Sequence, residues 1–335
     1  MPWTVESCLR RAEDGGGLDR HDARRLLAAA RDDPWPLWRA ADRLRRRLRG
    51  RAVHLCGIVA VKVGRCGEDC AWCAQSGHWS TAVKPQALLS AEAILDAARA
   101  ARTNGAGHFG LVSSGGSLSD AEFHTLLEAG RAVRDRTGLS VCGSFGALTR
   151  ERARALVEAG FSRYNHNLET SARHFASVCT THTWADRVHS ARAARDAGLE
   201  LCCGGLLGIG ETDADRVDLA LALRDLNPAV VPINVLHPIP GTPLADTRSL
   251  PPTEILSLVA LFRLMLPKPI ITMAGGRERN LRDLQCLMFA AGADGCLVGN
   301  YLTTTGRPPD ADLTMIRDLG LTPVRASLHP ETDHG

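Results

Sequence analysis

The strongest constraint on the fold of this chain is a repeated alternation of short apolar segments with longer segments of helical length. Parallel strands are joined by crossovers of about a dozen residues or more, and each connection here is long enough to hold a helix. Eight such strands predict a (β/α)8 barrel, whose functional residues lie at the carboxyl ends of the strands. The predicted strands are Cys56–Val63, His108–Ser113, Leu139–Ser144, Arg163–Leu168, Glu200–Gly205, Val230–Leu236, Ile270–Met273 and Gly295–Val298.

Helix boundaries support the same division of the chain. Ser and Thr side chains cap the free N–H groups at helix starts, and glycine is common where helices end. The predicted starts are at Ser90, Thr149, Thr183, Thr212 and Thr253. The predicted ends are at Gly105, Gly138, Gly160, Gly198, Gly292 and Gly320. We therefore expect a helical extension over residues 1–52, the barrel over residues 53–322 and a tail over residues 323–335.

A basic helix is predicted over residues 37–51 and is expected to lie on the barrel. Its apolar positions Leu37, Ala41, Leu44 and Leu48 fall on one face. The remaining positions include Arg39, Arg43, Arg45, Arg46, Arg47, Arg49 and Arg51. Such charge runs are usually solvated, and nucleic-acid binding is the alternative. The absence of interleaved aromatic residues and a net charge of only +3 argue against that alternative.

Composition and cysteine use favour a cytoplasmic protein. The 335 residues, 44% of them hydrophobic, can bury a large core. The chain does not open with an apolar export segment, and its best apolar run, residues 255–266, is too short for a membrane span and contains Arg263. Eleven cysteines spread over such a chain suit metal ligation in a reducing compartment better than a disulfide framework.

Three cysteines lie together just beyond the first predicted strand, at Cys66, Cys70 and Cys73. Thiolates this close can surround one metal centre, whereas a disulfide would use two and leave the third alone. A structural zinc site usually has four protein ligands, and no fourth Cys or His follows at the usual spacing. An iron–sulfur cluster held by three thiolates would leave one iron open to a small molecule. Zinc or a purely structural role remains the alternative.

Polar residues follow the later strands. Asn165, Asn167 and Glu169 alternate along one strand and are predicted to form one polar row inside the barrel, while Asn234 lies near the end of a later strand. Polar groups facing a barrel interior need partners, so a bound polar ligand is one explanation and an internal hydrogen-bond network is the other. The glycines at 204, 205, 208 and 210 would admit a ligand close to the backbone, although this signal is weak.

The spacing Cys-x3-Cys-x-aromatic-Cys resembles the signature of radical S-adenosylmethionine (SAM) enzymes. The wider pattern is similar to that of biotin synthases, over roughly Cys56 to Leu321. The segments that carry the resemblance are Cys66–Ser76, Tyr164–Thr170, Cys202–Gly205, Gly208–Glu211, Val231–Asn234, Gly241–Leu244 and Ala274–Glu278. The resemblance implies a radical SAM sulfurtransferase. A SAM-derived radical would remove hydrogen from two carbons of dethiobiotin, and sulfur from an auxiliary cluster would bridge them to form biotin.

The resemblance also implies residue roles. Cys66, Cys70 and Cys73 would hold a [4Fe–4S] cluster, and Trp72 would lie against the adenine of SAM. Asn167 and Glu169 would contact SAM, and His182 would approach its carboxylate. Asn234 would hold dethiobiotin, with Asn167 between the two ligands. The residues of the auxiliary site that match are Cys142 and Cys202.

Two other auxiliary positions depart from the better-known members of the family, which have a cysteine and an arginine where this chain has Gly110 and Thr272. The usual [2Fe–2S] cluster therefore lacks two of its ligands. Cys56, Cys142 and Cys202 lie on the first, third and fifth predicted strands, and alternate strands contribute to one layer of a barrel interior. We therefore expect these three cysteines to hold a different auxiliary cluster, with four irons as one option, as in the second class of biotin synthases.

The other cysteines carry less information. Cys203 should point away from Cys202 and pack behind the barrel wall, with a ligand role as its alternative. Cys286 and Cys296 are predicted to be small buried hydrophobic residues. Cys8 and Cys179 receive no role.

The sequence pattern is also compatible with three other hypotheses. The chain could be a hydrogenase maturase-like enzyme, a carbon-skeleton mutase, or a non-catalytic iron–sulfur or RNA-associated module. For the leading reading we expect dethiobiotin as substrate, flavodoxin or ferredoxin as electron donor, a homodimer, and neither nucleic-acid nor membrane binding.

Overall fold

The structure, a computed structural model, describes residues 4–15 and 17–324. Its centre is a parallel barrel, and the (β/α)8 prediction is confirmed. The first strand, Ala52–Lys62 (β1), pairs with strands on both sides and so closes the ring. The other strands are His108–Ser113 (β2), Ser140–Ser144 (β3), Arg163–Asn165 (β4), Glu200–Cys202 (β5), Gly205–Leu207 (β6), Val230–Val235 (β7), Ile270–Met273 (β8), Gly295–Leu297 (β9) and Thr322–Val324 (β10).

The order around the ring is β1-β2-β3-β4-β5-β7-β8-β9, with β10 added beside the start of β1 and β6 paired with β7. The last two residues of β10 belong to the segment predicted as a tail, and the tail beyond residue 324 lies outside the described residues. The first strand begins at Ala52 rather than at Cys56, so Cys56 lies within the strand and not at its start.

Two strand predictions were wrong in their extent. The fourth strand ends at Asn165 instead of Leu168, and the fifth is interrupted after Cys202. The interruption comes from close backbone approaches. A Cβ at Gly204 would lie 1.9 Å from the carbonyl oxygen of Pro232, and one at Gly205 would lie 2.7 Å from that of Glu169. Only glycine fits where these segments converge.

Helices surround the barrel and form the extension. They are Val5–Glu13 (α1), Arg20–Asp32 (α2), Trp35–Arg49 (α3), Ala91–Thr103 (α4), Asp120–Thr137 (α5), Arg150–Glu158 (α6), Ala172–Phe175 (α7), Trp184–Asp196 (α8), Asp213–Leu226 (α9), Pro252–Met265 (α10), Arg277–Leu281 (α11), Leu287–Ala290 (α12) and Pro309–Asp318 (α13), with a 3-10 turn at Arg282–Leu284. The predicted caps at Ser90, Thr149, Thr183 and Thr212 are confirmed. The prediction for Thr253 was wrong, because α10 begins at Pro252 and proline at the first helical position needs no N–H partner.

The extension packs on the barrel through α10, which is buried on nearly all sides between the barrel and helices α2 and α3. Trp38 of α3 donates a hydrogen bond from Nε1 to Ser257 Oγ of α10 at 3.1 Å. The prediction that the α3 arginines are all solvated was wrong for Arg45, which is 1% exposed. Leu48, predicted to face the barrel, is exposed instead.

No helix among the described residues is both long enough and apolar enough to cross a bilayer.

Candidate active site

One cavity of about 540 Å³ runs through the barrel from the carboxyl ends of the strands toward its base. Every side chain to which the sequence assigned a site role lines this cavity. They are Cys56, Cys66, Cys70, Trp72, Cys73, Cys142, Asn167, Glu169, His182, Cys202 and Asn234. We call Cys66, Cys70 and Cys73 the mouth cysteines, and Cys56, Cys142 and Cys202 the inner cysteines.

The mouth cysteines lie on a loop that is folded onto itself by backbone hydrogen bonds. Cys66 donates to the carbonyl of Gln75 at 3.0 Å, and its own carbonyl accepts from Gly77 at 2.7 Å. Cys73 donates to the carbonyl of Cys70 at 3.0 Å. Trp79 Nε1 donates to the same Cys70 carbonyl at 3.0 Å. These bonds hold three thiols of one loop toward one cavity, which suits a single multi-thiolate centre.

A second loop is anchored to the mouth cysteines by an acidic residue. Asp69 Oδ1 accepts hydrogen bonds from the backbone N–H groups of Thr180 at 2.8 Å and Thr181 at 3.1 Å. Burial opposes ionisation, but the bonds from Thr180 and Thr181 outweigh it and hold the pKa of Asp69 well below its usual range. These bonds therefore hold the residues on either side of Thr180 and Thr181 against the loop of the mouth cysteines.

Those residues include a thiol that sequence reasoning left without a role. Cys179 Sγ lies 3.8 Å from Cys70 Sγ and 3.4 Å from His182 Nδ1. The hydrogen bond shared with Cys70 and the contact with His182 lower the pKa of Cys179, although burial acts in the opposite direction. The available signal was the Cys-x2-His spacing of residues 179 and 182, which metal half-sites also use.

Arg187 of α8 connects the mouth to the end of β4. Its Nε donates to the carbonyl of Asn167 at 2.5 Å, and its Nη2 donates to Glu169 Oε1 at 3.2 Å. Its Nη1 lies 2.9 Å from His182 Nε2, and His182 Nδ1 lies 2.7 Å from Glu68 Oε2. Because a guanidinium can only donate, this geometry fits a neutral imidazole whose Nδ1 proton is donated to Glu68.

The polar row predicted on one strand is present in the cavity, but only Asn165 belongs to β4. Asn167 Oδ1 accepts from the N–H of Gly204 at 3.1 Å, so this amide is partly satisfied within the protein. Glu169 has a φ of 66°, which is uncommon for a residue with a side chain and costs about 1–3 kcal/mol. Burial raises the pKa of its carboxyl group. A strained, buried carboxylate that faces a cavity is typical of a ligand site.

Trp72 and Asn234 also line the cavity, and each is held by contacts within the protein. Trp72 packs on the small apolar cluster that includes Leu206 and Ile209. Asn234 is held at both ends of its amide, since Oδ1 accepts from the N–H of Gly275 at 2.9 Å and Nδ2 donates to the carbonyl of Gly205 at 3.3 Å. Its orientation is therefore fixed, which leaves one donor hydrogen on Nδ2 for a ligand.

The predicted Gly-x-Gly-Glu motif has an internal use. The Glu211 carboxylate accepts from the N–H groups of Gly208 and Ile209 at 2.7–3.1 Å and pairs with Arg216 at 2.8 Å. Its function in this fold is to hold the loop that follows β6.

The inner cysteines lie on β1, β3 and β5 and face the cavity. Strand register places Cys56 beside His108, and Cys142 between Gly110 and Arg163. Cys202 is register partner to Asn165, whose Nδ2 lies 3.3 Å from Cys202 Sγ. Burial raises the pKa of Cys56 to about 12 and also raises those of Cys142 and Cys202. Without a metal these thiols stay protonated at neutral pH.

Arg163 is a cation at the level of the inner cysteines that sequence reasoning did not identify. Its side chain is 9% exposed, and its Nε and Nη2 donate to Glu200 Oε2 at 3.1 and 2.6 Å. Burial opposes its charge, while the neighbouring Cys202, Cys142 and Glu200 side chains raise its pKa. Arg163 would therefore partly neutralise an anionic group bound among the inner cysteines.

The remaining cysteines lie away from the cavity. Cys203 and Cys296 are 0% exposed and belong to the main hydrophobic core, as does Cys8. Cys286 is only half-buried, so its prediction as a buried hydrophobic residue was wrong. All eleven cysteines are free thiols.

Comparison with known proteins gives matches along most of the chain. A family model of the radical SAM superfamily matches residues 61–223. A second model, described as the Biotin and Thiamin Synthesis associated domain, matches residues 232–322. The first match contains the mouth cysteines and the inner cysteines Cys142 and Cys202, and the second contains Asn234.

Curated relatives match nearly end to end. The biotin synthase of Citrifermentans bemidjiense is 45% identical over 97% of this chain and 99% of its own. The biotin synthase of Heliobacterium modesticaldum is 47% identical over 95% of this chain and 98% of its own. 

Solved structures share the fold. Methylornithine synthase has a TM-score of 0.81 at 19% identity and covers 95% of this chain and 97% of its own. The FeFe-hydrogenase maturase of Carboxydothermus hydrogenoformans has a TM-score of 0.82 at 17% identity, and the match covers 96% of this chain and 80% of the maturase.

Proposed function

Because the chain belongs to the biotin synthase family of radical SAM enzymes, we propose that its cavity converts dethiobiotin to biotin with two iron–sulfur sites, one at the mouth cysteines and one at the inner cysteines. The mouth cysteines would hold the [4Fe–4S] cluster that binds SAM, and the inner cysteines would hold the sulfur source. The observation that carries this proposal is that one continuous cavity is lined by both sets of cysteines. The substrate would lie between them.

The mouth cysteines suit a [4Fe–4S] cluster because three thiols of one loop face the same cavity and leave one metal position without a loop ligand. When bound, the cluster and SAM supply a one-electron cleavage that yields a hydrogen-abstracting 5′-deoxyadenosyl radical. The protein contributes orientation and exclusion of water.

SAM would be held by groups on three segments. Glu169, fixed by Arg187, would accept from ribose hydroxyls, and Asn167 would contact both SAM and substrate. Trp72 offers an aromatic face for the adenine. His182 lies beside Glu68 and Arg187, so its approach to the SAM carboxylate relies on that shared network.

Dethiobiotin would lie between the mouth and the inner cysteines. Asn234 is fixed by two backbone partners and would direct its free N–H toward the urea or carboxylate oxygens of the substrate. The orientation of this amide does not depend on the ligand, which reduces the entropy lost on binding.

The inner cysteines would hold an auxiliary iron–sulfur cluster of other than the [2Fe–2S] type. Gly110 carries no ligand atom, and Thr272 is a poor substitute for arginine. Three thiols on alternate strands that line one cavity, with Arg163 as register neighbour of Cys142, fit a four-iron cluster with one position open for the sulfide that is transferred. Burial keeps these three thiols protonated in the absence of metal, and binding of iron would displace their protons.

We further propose a cytoplasmic homodimer reduced by flavodoxin or ferredoxin. The mouth cysteines are only half-buried, which supports access of an electron donor to a cluster held there. Sedimentation of the anaerobically purified chain tests the dimer, and a monomer would contradict it.

The test of the function is anaerobic turnover with SAM, dithionite and dethiobiotin, combined with Mössbauer spectra. We expect biotin, 5′-deoxyadenosine and two distinct cluster signals, with the second signal lost in Cys56→Ala. A single [4Fe–4S] per chain, or unchanged iron in Cys56→Ala, would contradict the inner cluster. Failure of a biotin auxotroph to grow on dethiobiotin when given this chain would contradict the reaction itself.

A further inference from the structure

One of the mouth cysteines, Cys70, lies beside the thiol of Cys179 and the imidazole of His182, which the proposed reaction does not use as metal ligands. Cys179 is 3% exposed, and its Sγ lies 3.8 Å from Cys70 Sγ and 3.4 Å from His182 Nδ1. The ligand atoms of these three residues all lie within 4.8 Å of one another. Two thiols and an imidazole in such a group are a donor set that zinc prefers.

Two of the three distances match tetrahedral coordination. With zinc–sulfur bonds of about 2.3 Å and zinc–nitrogen bonds of about 2.0–2.1 Å, the tetrahedral angle separates two sulfurs by about 3.8 Å and a sulfur from a nitrogen by about 3.6 Å. The observed separations are 3.8 and 3.4 Å. The third pair, Cys70 Sγ and the His182 ring nitrogen, lies within 4.8 Å, so a metal ion at this place requires these two groups to approach each other.

Glu68 borders the site without belonging to it. Its Oε2 lies 2.7 Å from His182 Nδ1 and accepts a hydrogen bond from Thr181 Oγ1 at 2.5 Å. If a metal binds Nδ1, the proton that joins Nδ1 and Glu68 is displaced, and a water molecule supplies the fourth ligand.

We propose that Cys70, Cys179 and His182 form a site for a divalent transition metal of the zinc class in the chain that carries no cluster. Cys70 belongs to both centres, so zinc and the [4Fe–4S] cluster exclude each other. While zinc is bound to Cys70, the chain therefore cannot assemble the [4Fe–4S] cluster.

Arg187 opposes the metal. Its Nη1 lies 2.9 Å from His182 Nε2, and metal binding at Nδ1 would place a proton on Nε2, so two donors would face each other. Arg187→Met removes both this conflict and a nearby positive charge. We expect the variant to bind the metal more tightly than the wild-type chain.

Cobalt is a spectroscopic probe for this site. The full chain, freed of metal and cluster and kept reduced, is titrated with Co²⁺. We expect sulfur-to-cobalt charge transfer together with the intense visible bands of a tetrahedral ion. Cys179→Ala and His182→Ala should weaken binding by more than the roughly 10- to 100-fold that loss of an outer-shell partner costs.

The matched control is Cys66→Ala. This variant loses a ligand of the proposed [4Fe–4S] cluster but keeps the proposed zinc ligands, so its cobalt spectrum should equal that of the wild-type chain. Cys179→Ala should show the reverse, with cluster assembly intact and the tetrahedral cobalt spectrum lost. The two variants therefore separate this site from the proposed function.

A measurement on the wild-type chain avoids variants that fail to fold. Zn²⁺ should protect the half-buried Cys70 from iodoacetamide, as read by peptide mass spectrometry, and leave Cys66 and Cys73 reactive. Equal protection of Cys66, Cys70 and Cys73, or a cobalt spectrum unchanged in Cys179→Ala, would overturn the proposal, since the metal would then occupy the cluster ligands themselves.

Discussion

The mouth and inner cysteines line the same cavity but are built in opposite ways. The mouth set comes from one loop, where backbone hydrogen bonds of Cys66 and Cys73 fix its shape. The inner set comes from three strands whose positions are fixed by the barrel itself. The arrangement of the mouth thiols therefore depends on a few hydrogen bonds within one loop, whereas that of the inner thiols depends on the register of the whole barrel.

Their surroundings differ in charge as well. Glu68 and Asp69 lie beside the mouth cysteines, and their hydrogen bonds tie that loop to Thr180 and Thr181. The inner cysteines have Arg163 as neighbour, and burial keeps their thiols protonated. The first environment suits exchange of a polar cofactor, and the second suits retention of an anionic cluster.

The largest expected effect separates the two sets. Cys66→Ala should abolish formation of both 5′-deoxyadenosine and biotin, because SAM cleavage requires the mouth centre. Cys142→Ala should still form 5′-deoxyadenosine but no biotin, because only the sulfur source is lost. Both products are measured by mass spectrometry after anaerobic turnover. If Cys142→Ala also lost SAM cleavage while folded by circular dichroism, the division between the two sets would be wrong.

The same contrast explains what the sequence could predict. The grouping of the mouth cysteines could be predicted from spacing alone, because the three residues are neighbours in the chain. The inner cysteines required both the strand order and a family resemblance. The barrel and most helix caps were predicted because they depend on local patterns, such as Thr212 before α9.

Other features could not be predicted because they depend on tertiary contacts. The contact of Cys179 with Cys70 joins residues far apart in the chain, through the bonds of Asp69 to a distant loop. The burial of Arg45 depends on how α3 sits against the barrel, which helical periodicity does not show. The interruption of the predicted fifth strand after Cys202 depends on the close approach of Gly204 and Gly205 to neighbouring backbone.

The next prediction tests the mouth alone. Arg187→Met leaves the buried Glu169 carboxylate and the Asn167 carbonyl without their partner, which costs about 1–3 kcal/mol. We expect SAM binding to weaken about 10- to 100-fold, with the iron held by the inner cysteines unchanged. Equilibrium dialysis and iron analysis measure both quantities. Arg192→Met, an exposed change on the same helix, is the control and should bind SAM like the wild-type chain.

Asn234→Ala tests the region between the two sets. The change removes the acceptor of the Gly275 N–H and the amide that would face dethiobiotin. We expect the KM for dethiobiotin to rise about tenfold, in line with one lost hydrogen bond in a buried site. The KM for SAM should stay the same. A parallel rise in both constants would mean that Asn234 acts on the whole cavity and not on the substrate.

The smallest effect concerns the base of the cavity, where burial lowers the pKa of His108 to about 3. An unfolded chain protonates this histidine below about pH 6.5, whereas the folded chain does not until about pH 3, so folding loses stability as the pH falls between these values. At pH 5.5 the loss is about 1 kcal/mol. His108→Gln should remove this part of the difference between urea midpoints at pH 7.5 and 5.5 in the cluster-free chain. The exposed change His124→Gln should leave the difference as it is in the wild-type chain. An equal pH dependence in wild-type and His108→Gln chains would show that the base of the barrel is wet enough to charge this histidine. The contrast between a dry inner site and a polar mouth would then fail.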